Sequence, residues 1–434
     1  MARAMKDSSV EWIGEIPEGW EVYNIRHEFS FGKGLPITKD DLRDSGEPVI
    51  SYGQIHSKIN TGTTVKPALV RYVEEKYLDT HPDSLAQKGD LILADTSEDV
   101  AGCGNCIYVD TDVPVFAGYH TIILRNKTNH NQRFLSYLFQ TDAWRSQIRK
   151  QVTGVKLFSI SQKILRSTSV IIPQYEEQER IADYLDTECA RIDAVIEKTR
   201  ASIEEYRKLK QSVITQAVTK GIRPGRKMKD SGVEWIGEIP EEWNCLKIKW
   251  LLDERNERSE HGLEEPLSMS QKYGLIPTKE MDMVPNMASS FVGAKVCYPG
   301  DLVFNKLKAH LGVFALSKFH GLVSPDYAVY HSRGIANLKY LEYLFKTPQY
   351  IAEFKKKSTG VGAGLTRLYT AGLYSIYSTI LPLSEQSEIV EYLDEKTEEI
   401  SALIRQKEGI ITELESYKKS LIYEYVTGKK EVPV

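Results

Sequence analysis

Two groups of side chains have spacings that could support chemistry. Cys103 and Cys106 are separated by two residues, a spacing that can hold zinc or support thiol exchange. Asp326, Glu353 and Lys355 superficially match a nuclease constellation. The cysteine pair has no second pair, so we predict a tight loop with two free thiols. Glu353 falls in a predicted helix, whereas that nuclease chemistry usually uses a strand.

Longer catalytic motifs are absent from the sequence. It contains no Asn/Asp-Pro-Pro-aromatic methyltransferase motif, no phosphate-binding Gly-x-x-x-x-Gly-Lys-Ser/Thr and no His-Glu-x-x-His. The nine histidines show no ligand spacing. The glycines of residues 360–364 lack the strand-then-helix setting of a dinucleotide site and indicate a flexible loop. We therefore predict no catalytic residue, no metal site and no cofactor.

Polar and basic loop residues are the candidates for contacts with a ligand that carries phosphates and hydrogen-bonding edges. They lie in two regions that we call the first head (residues 21–172) and the second head (residues 244–381). Amide and basic side chains can recognise base edges, while hydroxyls and lysines can hold phosphates. Taken singly, each also fits an ordinary surface residue. The candidates are Lys33, Tyr52, Gln54, Thr96, Ser97 and Lys156 in the first head, and Ser270, Gln271, Lys272, Lys306, Lys308, His310 and Arg367 in the second.

Basic residues also occur at matching helix ends of both heads, just before a Thr-Gly pair. These are Arg149 and Lys150 in the first head, and Lys355, Lys356 and Lys357 in the second. They are candidate phosphate contacts, although compensation of the helix dipole is an alternative explanation. The whole chain has a net charge of −4, but the second head holds 17 Lys+Arg against 12 Asp+Glu. The local surfaces, and not the whole-chain charge, decide phosphate binding.

The composition is that of a soluble globular protein. Of 434 residues, 41% are hydrophobic and 27% are charged. No apolar run reaches the ~18 residues that span a bilayer, and residues 1–6 show no signal-peptide pattern. Five cysteines, without disulfide-framework spacing, fit a reducing compartment. The sequence therefore predicts a cytoplasmic protein without a membrane partner.

The chain contains a long internal repeat. Thirteen of fifteen positions are identical between residues 6–20 and residues 229–243. Glu177-Gln178 and Tyr184-Leu-Asp186 return as Glu385-Gln386 and Tyr392-Leu-Asp394. The repeat distance of about 210 residues is too long for a solenoid and indicates two copies of one domain-plus-helix unit. Because the head interiors diverge between shared flanking blocks, one scaffold is expected to recognise two different things.

Each head is predicted to be a mixed, β-rich domain. Short β-branched runs bounded by Gly, Pro, Asn or Asp indicate strands. One helix per head is predicted around Phe134 and around Tyr340. The predicted strands cover residues 48–52, 90–93 and 120–124 in the first head and residues 294–297, 301–304 and 327–330 in the second.

Two helices of about 40 residues follow the heads, each preceded by a proline (Pro173, Pro382) and followed by a glycine (Gly221, Gly428). Their apolar residues follow a heptad, which favours pairing with each other. A parallel pair would require the second head to carry the chain back ~60 Å, more than so small a domain spans. We therefore predict an antiparallel coiled coil with the heads at its two ends. The seam positions are Leu185, Cys189, Ile192, Ile196, Thr199, Ile203, Tyr206, Lys210, Val213 and Ala217, and then Leu393, Thr397, Ile400, Ile404, Lys407, Ile411, Leu414, Lys418, Leu421 and Tyr425.

The repeated blocks resemble those of type I restriction–modification specificity subunits. The resemblance rests on residues 230–240, on the Pro-x-x-Glu-Gln helix entry at residues 382–386 and on Tyr392-Leu-Asp394, and it covers nearly the whole chain. It implies an α+β fold with two target recognition domains, a pseudo-two-fold repeat and no catalytic site. The implied segments are a first recognition domain (1–172), a central conserved helix (173–222), a second recognition domain (223–381) and a C-terminal conserved helix (382–434).

The resemblance also implies a function and partners. Each recognition domain would read one half of a split, asymmetric site in double-stranded DNA. The helices would set the distance between the half-sites and dock methyltransferase subunits, two in number, with restriction subunits joining through the complex. The alternative is an adaptor with two protein-binding heads on a coiled coil, without nucleic acid. A self-sufficient restriction enzyme would require motifs that the sequence lacks.

Overall fold

The computed structural model describes residues 3–271, 273–282, 290–360 and 366–433. The predicted DNA contact Lys272 and most of the glycine-rich segment at 360–364 lie outside the described residues. The chain forms two compact units, Met1–Thr199 with Gly409–Val434, and Arg200–Glu408. Each unit contains one head and a part of both long helices, so the unit boundaries cut through the helices. The domain boundaries predicted from the sequence remain a prediction.

The first unit contains fourteen strands and six short helices among its described residues, followed by the first long helix. The strands are β1 (Met5–Asp7), β2 (Glu15–Pro17), β3 (Glu21–Asn24), β4 (Phe29–Lys33), β5 (Glu47–Ile50), β6 (Arg71–Val73), β7 (Leu85–Ala86), β8 (Leu91–Ala94), β9 (Thr96–Ser97), β10 (Cys106–Tyr108), β11 (Val115–Ala117), β12 (Thr121–Asn126), β13 (Phe158–Ser159) and β14 (Ser169–Ile172). The helices are α1 (Ile25–Glu28), α2 (Tyr52–Ile55), α3 (Tyr77–Thr80), α4 (Gln132–Gln140), α5 (Asp142–Arg149), α6 (Gln162–Arg166) and the long α7 (Tyr175–Lys220).

The second unit has a similar series. Its strands are β15 (Met228–Asp230), β16 (Glu238–Pro240), β17 (Asn244–Lys247), β18 (Leu252–Arg255), β19 (Leu267–Ser270), β20 (Gly274–Pro277), β21 (Lys295–Cys297), β22 (Leu302–Asn305), β23 (Phe314–Leu316), β24 (Gly321–Val323), β25 (Tyr327–Ser332), β26 (Thr359–Gly360), β27 (Thr366–Arg367) and β28 (Tyr377–Ile380). The helices are α8 (Leu338–Phe345), α9 (Pro348–Lys357), α10 (Thr370–Ser375) and the long α11 (Leu383–Val426).

A four-stranded antiparallel sheet is the centre of each head. In the first head its order is β10-β8-β12-β4, and a second sheet, β6-β5-β11-β7, contains the parallel pair β5 and β11. In the second head the order is β18-β25-β22-β23. The apolar residues of these sheets are buried together with the helices that follow, and Trp20, Trp144 and Trp243 are fully buried. The predicted α+β class with two β-rich domains is confirmed.

Two local features of the structure differ from the sequence prediction. Tyr52 was expected to end a strand, but β5 ends at Ile50 and Tyr52 begins α2, because Ser51 and Gln54 form a capping box. One helix was expected after each sheet, but there are two. Thr141 ends α4 and its hydroxyl accepts from the amide of Trp144 in α5, and Pro348 begins α9 directly after Thr347. A threonine cap and a proline at the first helical position both favour a new helix start.

The two long helices pair in antiparallel orientation within each unit. In the first unit Lys418 donates to both carboxylate oxygens of Asp193 at 2.7 Å, and Tyr425 packs against Tyr184. In the second unit Lys210 donates to Ser401 at 2.7 Å, and Arg223 pairs with Glu388. All twenty predicted seam residues are buried or half-buried. Within each unit, the antiparallel coiled-coil prediction is confirmed.

Both long helices end as predicted. Gly221 (φ +79°) and Gly428 (φ +70°) have the left-handed conformation that commonly terminates a helix. A Cβ atom on Gly428 would come within 2.4 Å of Pro17, so the segment preceding Trp20 packs closely against this helix end. No helix in the described ranges is long and apolar enough to cross a membrane.

Candidate nucleic-acid interface

The two inner strands of the central sheet are equivalent in both heads at one of their ends. In the first head Ala94, the last residue of β8, pairs with Thr121, the first residue of β12. In the second head Asn305, the last residue of β22, pairs with Tyr327, the first residue of β25. Each strand pair follows the same Gly-Asp-Leu sequence, at 89–91 and at 300–302. The sheet register therefore makes the residues of the two heads equivalent, one by one, at this end of the strands.

The residue after each strand makes the same backbone contact. The carbonyl of Asp95 accepts from the amide of Ile160 at 2.7 Å, and the carbonyl of Lys306 accepts from the amide of Leu368 at 2.9 Å. Asp95 and Lys306 are therefore structurally equivalent residues. We call this end of the two inner strands, together with the residues around it, the strand-edge site of each head.

The strand-edge site of the first head contains an acid–imidazole pair. Asp95 Oδ1 accepts from the hydroxyl of Thr96 at 2.7 Å and lies 3.3 Å from Nδ1 of His120. His120 is exposed and has a φ of +56°, a conformation that is uncommon for residues other than glycine. Such backbone strain concentrates at functional sites, because it persists only where the surroundings enforce it.

Aromatic rings surround this pair. The ring of Tyr52 lies 5.5 Å from those of both Tyr119 and His120 in edge-to-face geometry, and 6.2 Å from that of His56. The helix α2 positions Tyr52 and His56 one turn apart, on the side facing the strand edge. The result is a half-exposed surface of rings and polar atoms at the end of the sheet.

A series of hydrogen bonds fixes the orientation of the His56 ring. Its Nε2 donates to the carbonyl of Thr96 at 2.8 Å, so in the neutral ring Nδ1 accepts from the amide nitrogen of Asn105 at 3.1 Å. The Asn105 oxygen accepts in turn from Arg145 at 2.7 Å, which sets the orientation of the Asn105 amide. Helix α5 thereby positions the loop that carries the strand-edge residues.

The predicted contacts of the first head lie around this site with different accessibilities. Lys33 is exposed at the end of β4, where it pairs with Ile122 next to the strand edge. Gln54 is half-buried and its oxygen accepts from the amide of Ser51. Thr96 and Ser97 are buried, and the Ser97 hydroxyl donates to the carbonyl of Asp99. Their side chains are thus engaged in local contacts.

The remaining candidates of the first head flank the same loops. Lys156 is exposed just before β13, which pairs with β9. Arg149 binds Asp142 and donates to the carbonyl of Ala101, so it holds the loop before β10. Lys150 is exposed and pairs with Glu11 at 2.6 Å. Of this group, only Lys156 has no carboxylate partner among the residues described.

The strand-edge site of the second head is rich in cations. Lys295 is buried and pairs with Glu254 at 3.0 Å, and Arg367 pairs with Asp326 at 3.0 Å. The amine of Lys306 is half-buried and has no hydrogen-bond or ion-pair partner among the described residues. Burial lowers the pKa of Lys306, and the charge of Lys295 lowers it further.

The other candidates of the second head lie on a neighbouring turn. Gln271 donates to the carbonyl of Leu311 at 2.6 Å, which joins the tip of the β19–β20 hairpin to the turn at 308–311. Lys308 is exposed on this turn, and Nδ1 of His310 is buried without a partner in the described part of the chain. The Ser270 hydroxyl accepts from the amide of Tyr273.

The three lysines of the second head end α9 and are exposed. Lys355 and Lys357 have no carboxylate partner in the ranges that the structure covers, and Lys356 pairs with Glu353 at 3.2 Å. Glu353 lies on α9, as predicted, and Asp326 is bound to Arg367. Two residues of the superficial nuclease constellation, Asp326 and Glu353, are therefore engaged in ion pairs.

The cysteine pair forms no metal site in the structure. Cys103 and Cys106 are free and buried, and burial raises the pKa of Cys106 to about 11. Over the described residues, no three His, Cys, Asp or Glu side chains converge as metal ligands do. Cys103 lies in a turn, as expected, whereas Cys106 is the first residue of β10.

Sequence reasoning missed His56, Asn105, Tyr119, His120 and Asp95. Their common feature is proximity to the strand edge, which depends on the sheet register. A signal was available, because alignment of the Gly-Asp-Leu blocks places Asp95 opposite Lys306. The shared blocks were used to define the repeat but not to compare the divergent residues that follow them.

Comparisons with known proteins bear on this arrangement. Residues 17–205 match the family model described as type I restriction modification DNA specificity domain. The chain is 25% identical to the type I restriction enzyme MjaVIII specificity subunit of Methanocaldococcus jannaschii over 215 residues, which are 49% of this chain and about half (48%) of that relative. It is also 25% identical to the putative type I restriction enzyme MjaX specificity subunit of the same organism over 449 residues, covering 97% of this chain and 96% of the relative.

Solved structures share the fold. A chain from the structure described as "Structural basis underlying complex assembly and conformational transition of the type I R-M system" matches with a TM-score of 0.68 and 17% identity, covering 96% of this chain and 99% of that one. The HsdS subunit from Thermoanaerobacter tengcongensis matches with a TM-score of 0.50 and 17% identity, covering 96% and 98%.

Proposed function

We propose that this chain, which resembles the specificity subunits of type I restriction–modification systems as its motifs predict, reads a bipartite, asymmetric site in double-stranded DNA. Each head would recognise one half-site. The chain would supply no catalytic group and would dock methyltransferase subunits, two in number, through which restriction subunits join. It would act in the cytoplasm, where the DNA is.

The observation that carries the proposal is that the two heads share a set of buried contacts, which we call the frame, but differ in the side chains of their strand-edge sites. In both heads a buried glutamine of the long helix accepts from the backbone amide that begins the helix after the sheet. Gln178 Oε1 accepts from Asn131 at 2.7 Å, and Gln386 Oε1 accepts from Asn337 at 2.7 Å. The strand-edge sites, at the other ends of β12 and β25, nevertheless have different side chains. A repeated scaffold with two different polar surfaces suits recognition of two different half-sites.

The distribution of charge supports DNA as the ligand. Exposed lysines lie next to both strand-edge sites. Lys33 pairs with Ile122 and Lys156 precedes β13, which pairs with β9 in the first head, and Lys308 follows Lys306 by two residues in the second. Cations placed beside polar base-reading groups are the common arrangement of protein–DNA interfaces, since phosphate contacts fix the register and base contacts supply specificity.

The long helices have apolar residues outside their seam that could serve partner docking. In the first unit Val195, Ile410 and Tyr417 are exposed, and in the second unit Leu209 and Leu403 are exposed. A partner that covers these side chains would bury their apolar surface. We assign this contact to the methyltransferase subunits.

Methylome sequencing tests the proposal. Cells that express the chain with the modification subunits of its own host should modify one bipartite, asymmetric motif throughout their DNA. Cells that express the modification subunits alone are the control and should lack that motif. If the two methylomes are the same although the complex forms, the chain is an adaptor and does not read DNA.

A further inference from the structure

We propose that Asp95 and Lys306 are specificity-determining residues at the two strand-edge sites. Asp95 would accept a hydrogen bond from the N4 amine of a cytosine in one half-site. Lys306 would donate to O6 and N7 of a guanine in the other. This inference rests on the proposed function and adds the base chemistry that each head prefers.

The first argument is equivalence with opposite charge. Asp95 and Lys306 follow matched strands and make the same backbone hydrogen bond. The residues across the edge are also matched, since His120 precedes β12 and Asp326 precedes β25. The first head therefore places an acid opposite an imidazole, and the second places an amine opposite a carboxylate. A common backbone with inverted charge is expected where two copies of a scaffold bind different hydrogen-bonding edges.

The second argument is that each group has unused hydrogen-bonding capacity. Thr96 and His120 both contact Oδ1 of Asp95, and Oδ2 has no partner among the residues described. The amine of Lys306 also lacks a partner in those ranges, although the neighbouring cations Lys295 and Arg367 are both paired with carboxylates. A ligand that accepts hydrogen bonds would give this amine a partner.

The third argument separates base contact from phosphate contact. A carboxylate is repelled by phosphates, so Asp95 at a DNA-facing edge is suited only to a base amine. Asp and Glu typically accept from cytosine N4, whereas Lys and Arg typically donate to guanine O6 and N7. Because Lys306 occupies the position of Asp95, we assign it the same type of contact. The exposed Lys308 nearby is the candidate for the phosphate.

The experiment is selection of bound sequences from a randomised duplex DNA library. The full chain in complex with its host's modification subunits is the binding species. The variants are Lys306→Met and Asp95→Asn, which keep the side-chain shape, and Lys306→Arg, which keeps donors for guanine. The matched controls are Lys308→Met and Glu98→Gln, exposed residues two and three positions away.

We expect Lys306→Met to relax one guanine position in one half-site about tenfold, while the other half-site is unchanged. Lys306→Arg should restore the guanine preference, and Asp95→Asn should relax one cytosine position in the opposite half-site. Glu98→Gln should leave both the affinity and the motif unchanged, whereas Lys308→Met, at the candidate phosphate contact, should lower the affinity for all sequences alike without changing the motif. Lys306→Met should not melt at a lower temperature than the parent chain, because it removes an unpaired amine.

Two results would overturn the inference. A uniform loss of affinity for all sequences, with a weaker salt dependence, would mean that Lys306 contacts phosphate. An unchanged motif with Lys306→Met would mean that it contacts no base. If the parent complex itself selects no sequence, the proposed function fails, and this outcome is distinct from both.

Discussion

Two buried glutamines link the long helices to the heads at the scale of single residues. Besides accepting from Asn131, Gln178 donates to the carbonyl of Pro173 at 2.9 Å, and Gln386 donates to the carbonyl of Leu381 at 2.8 Å. Each glutamine therefore satisfies backbone groups on both sides of a helix entry. Buried backbone groups that lose their partners are costly, so these contacts stabilise the frame.

Replacement of Gln178 by Met should lower the free energy of unfolding by about 1–3 kcal/mol, because the amide of Asn131 and the carbonyl of Pro173 lose their partner. Urea unfolding followed by circular dichroism measures the change. Gln211→Met is the control and should cost far less, since among the described residues the side chain of Gln211 hydrogen-bonds only to Thr215 of its own helix. Equal losses for both variants would contradict the structural role of Gln178.

The buried thiols give a second test at this scale. Burial raises the pKa of Cys106 to about 11, so the thiolate that reacts with iodoacetamide is scarce at pH 8. We expect labelling of Cys106 to be slow in the folded chain and fast in urea, as followed by mass spectrometry. Rapid labelling of the native protein, or zinc bound at one equivalent, would contradict the assignment of two inert thiols.

Residue identities predicted the frame better than the strand-edge sites. Gln178 and Gln386 belong to repeated blocks, so their importance is visible in the sequence. Ser97 was proposed as a DNA contact but is buried, because β9 pairs with β13 across sixty residues of sequence. Whether a hydroxyl faces solvent depends on this tertiary pairing, which local composition does not determine.

At the scale of elements, the long helices and one of the two helices after each sheet were predictable, and the second of these two was not. A heptad repeated over many turns has only one apolar face, so its seam residues follow directly from the sequence. The division into α4 and α5 depends on Thr141, whose hydroxyl accepts from the amide of Trp144. An apolar pattern that continues across such a cap looks like a single helix. Strand bounds were correct to one or two residues wherever β-branched runs were bounded by turns.

The helices are proposed to set the distance between the half-sites, and an insertion tests this. Four residues added near Thr199, with four more near Lys407, should lengthen the coil by about 6 Å. A four-residue step keeps the seam nearly in phase, so the pairs that hold the helices together can re-form. The recognised spacer should grow by one or two base pairs, while the half-sites stay unchanged because neither head is altered. Methylome sequencing reads both quantities.

A single added residue at each position is the matched control. It rotates the following helix by about 100°, which displaces the seam and should abolish specific modification. The purified variants must first show the helical content and the thermal stability of the parent chain. A spacer that stays the same in a folded, active four-residue variant would mean that the helices do not set the distance.

At the scale of the whole molecule, the repeat is the property from which most conclusions follow. The sequence repeat predicted two copies of one domain-plus-helix unit, and each compact unit contains one head with parts of both helices. The residues that differ between the heads could not be compared from the sequence alone, because their equivalence depends on the sheet register that matches Asp95 with Lys306.

An exchange of one head tests directly whether each head recognises its half-site independently of the other. Residues 21–172 should be replaced by the corresponding segment of a relative, while Trp20 and α7 are retained. Gln178 contacts the head through the backbone amide at position 131, so the incoming segment needs no particular side chain there. The incoming segment should carry Arg and Tyr at the positions of Arg133 and Tyr137, because both side chains bind Asp186 of α7.

The exchange should change one half of the modified motif and leave the other half and the spacer as they were. The reciprocal exchange of residues 244–381 should change only the other half. If either exchange altered both half-sites together in a folded complex, the heads would not read DNA independently.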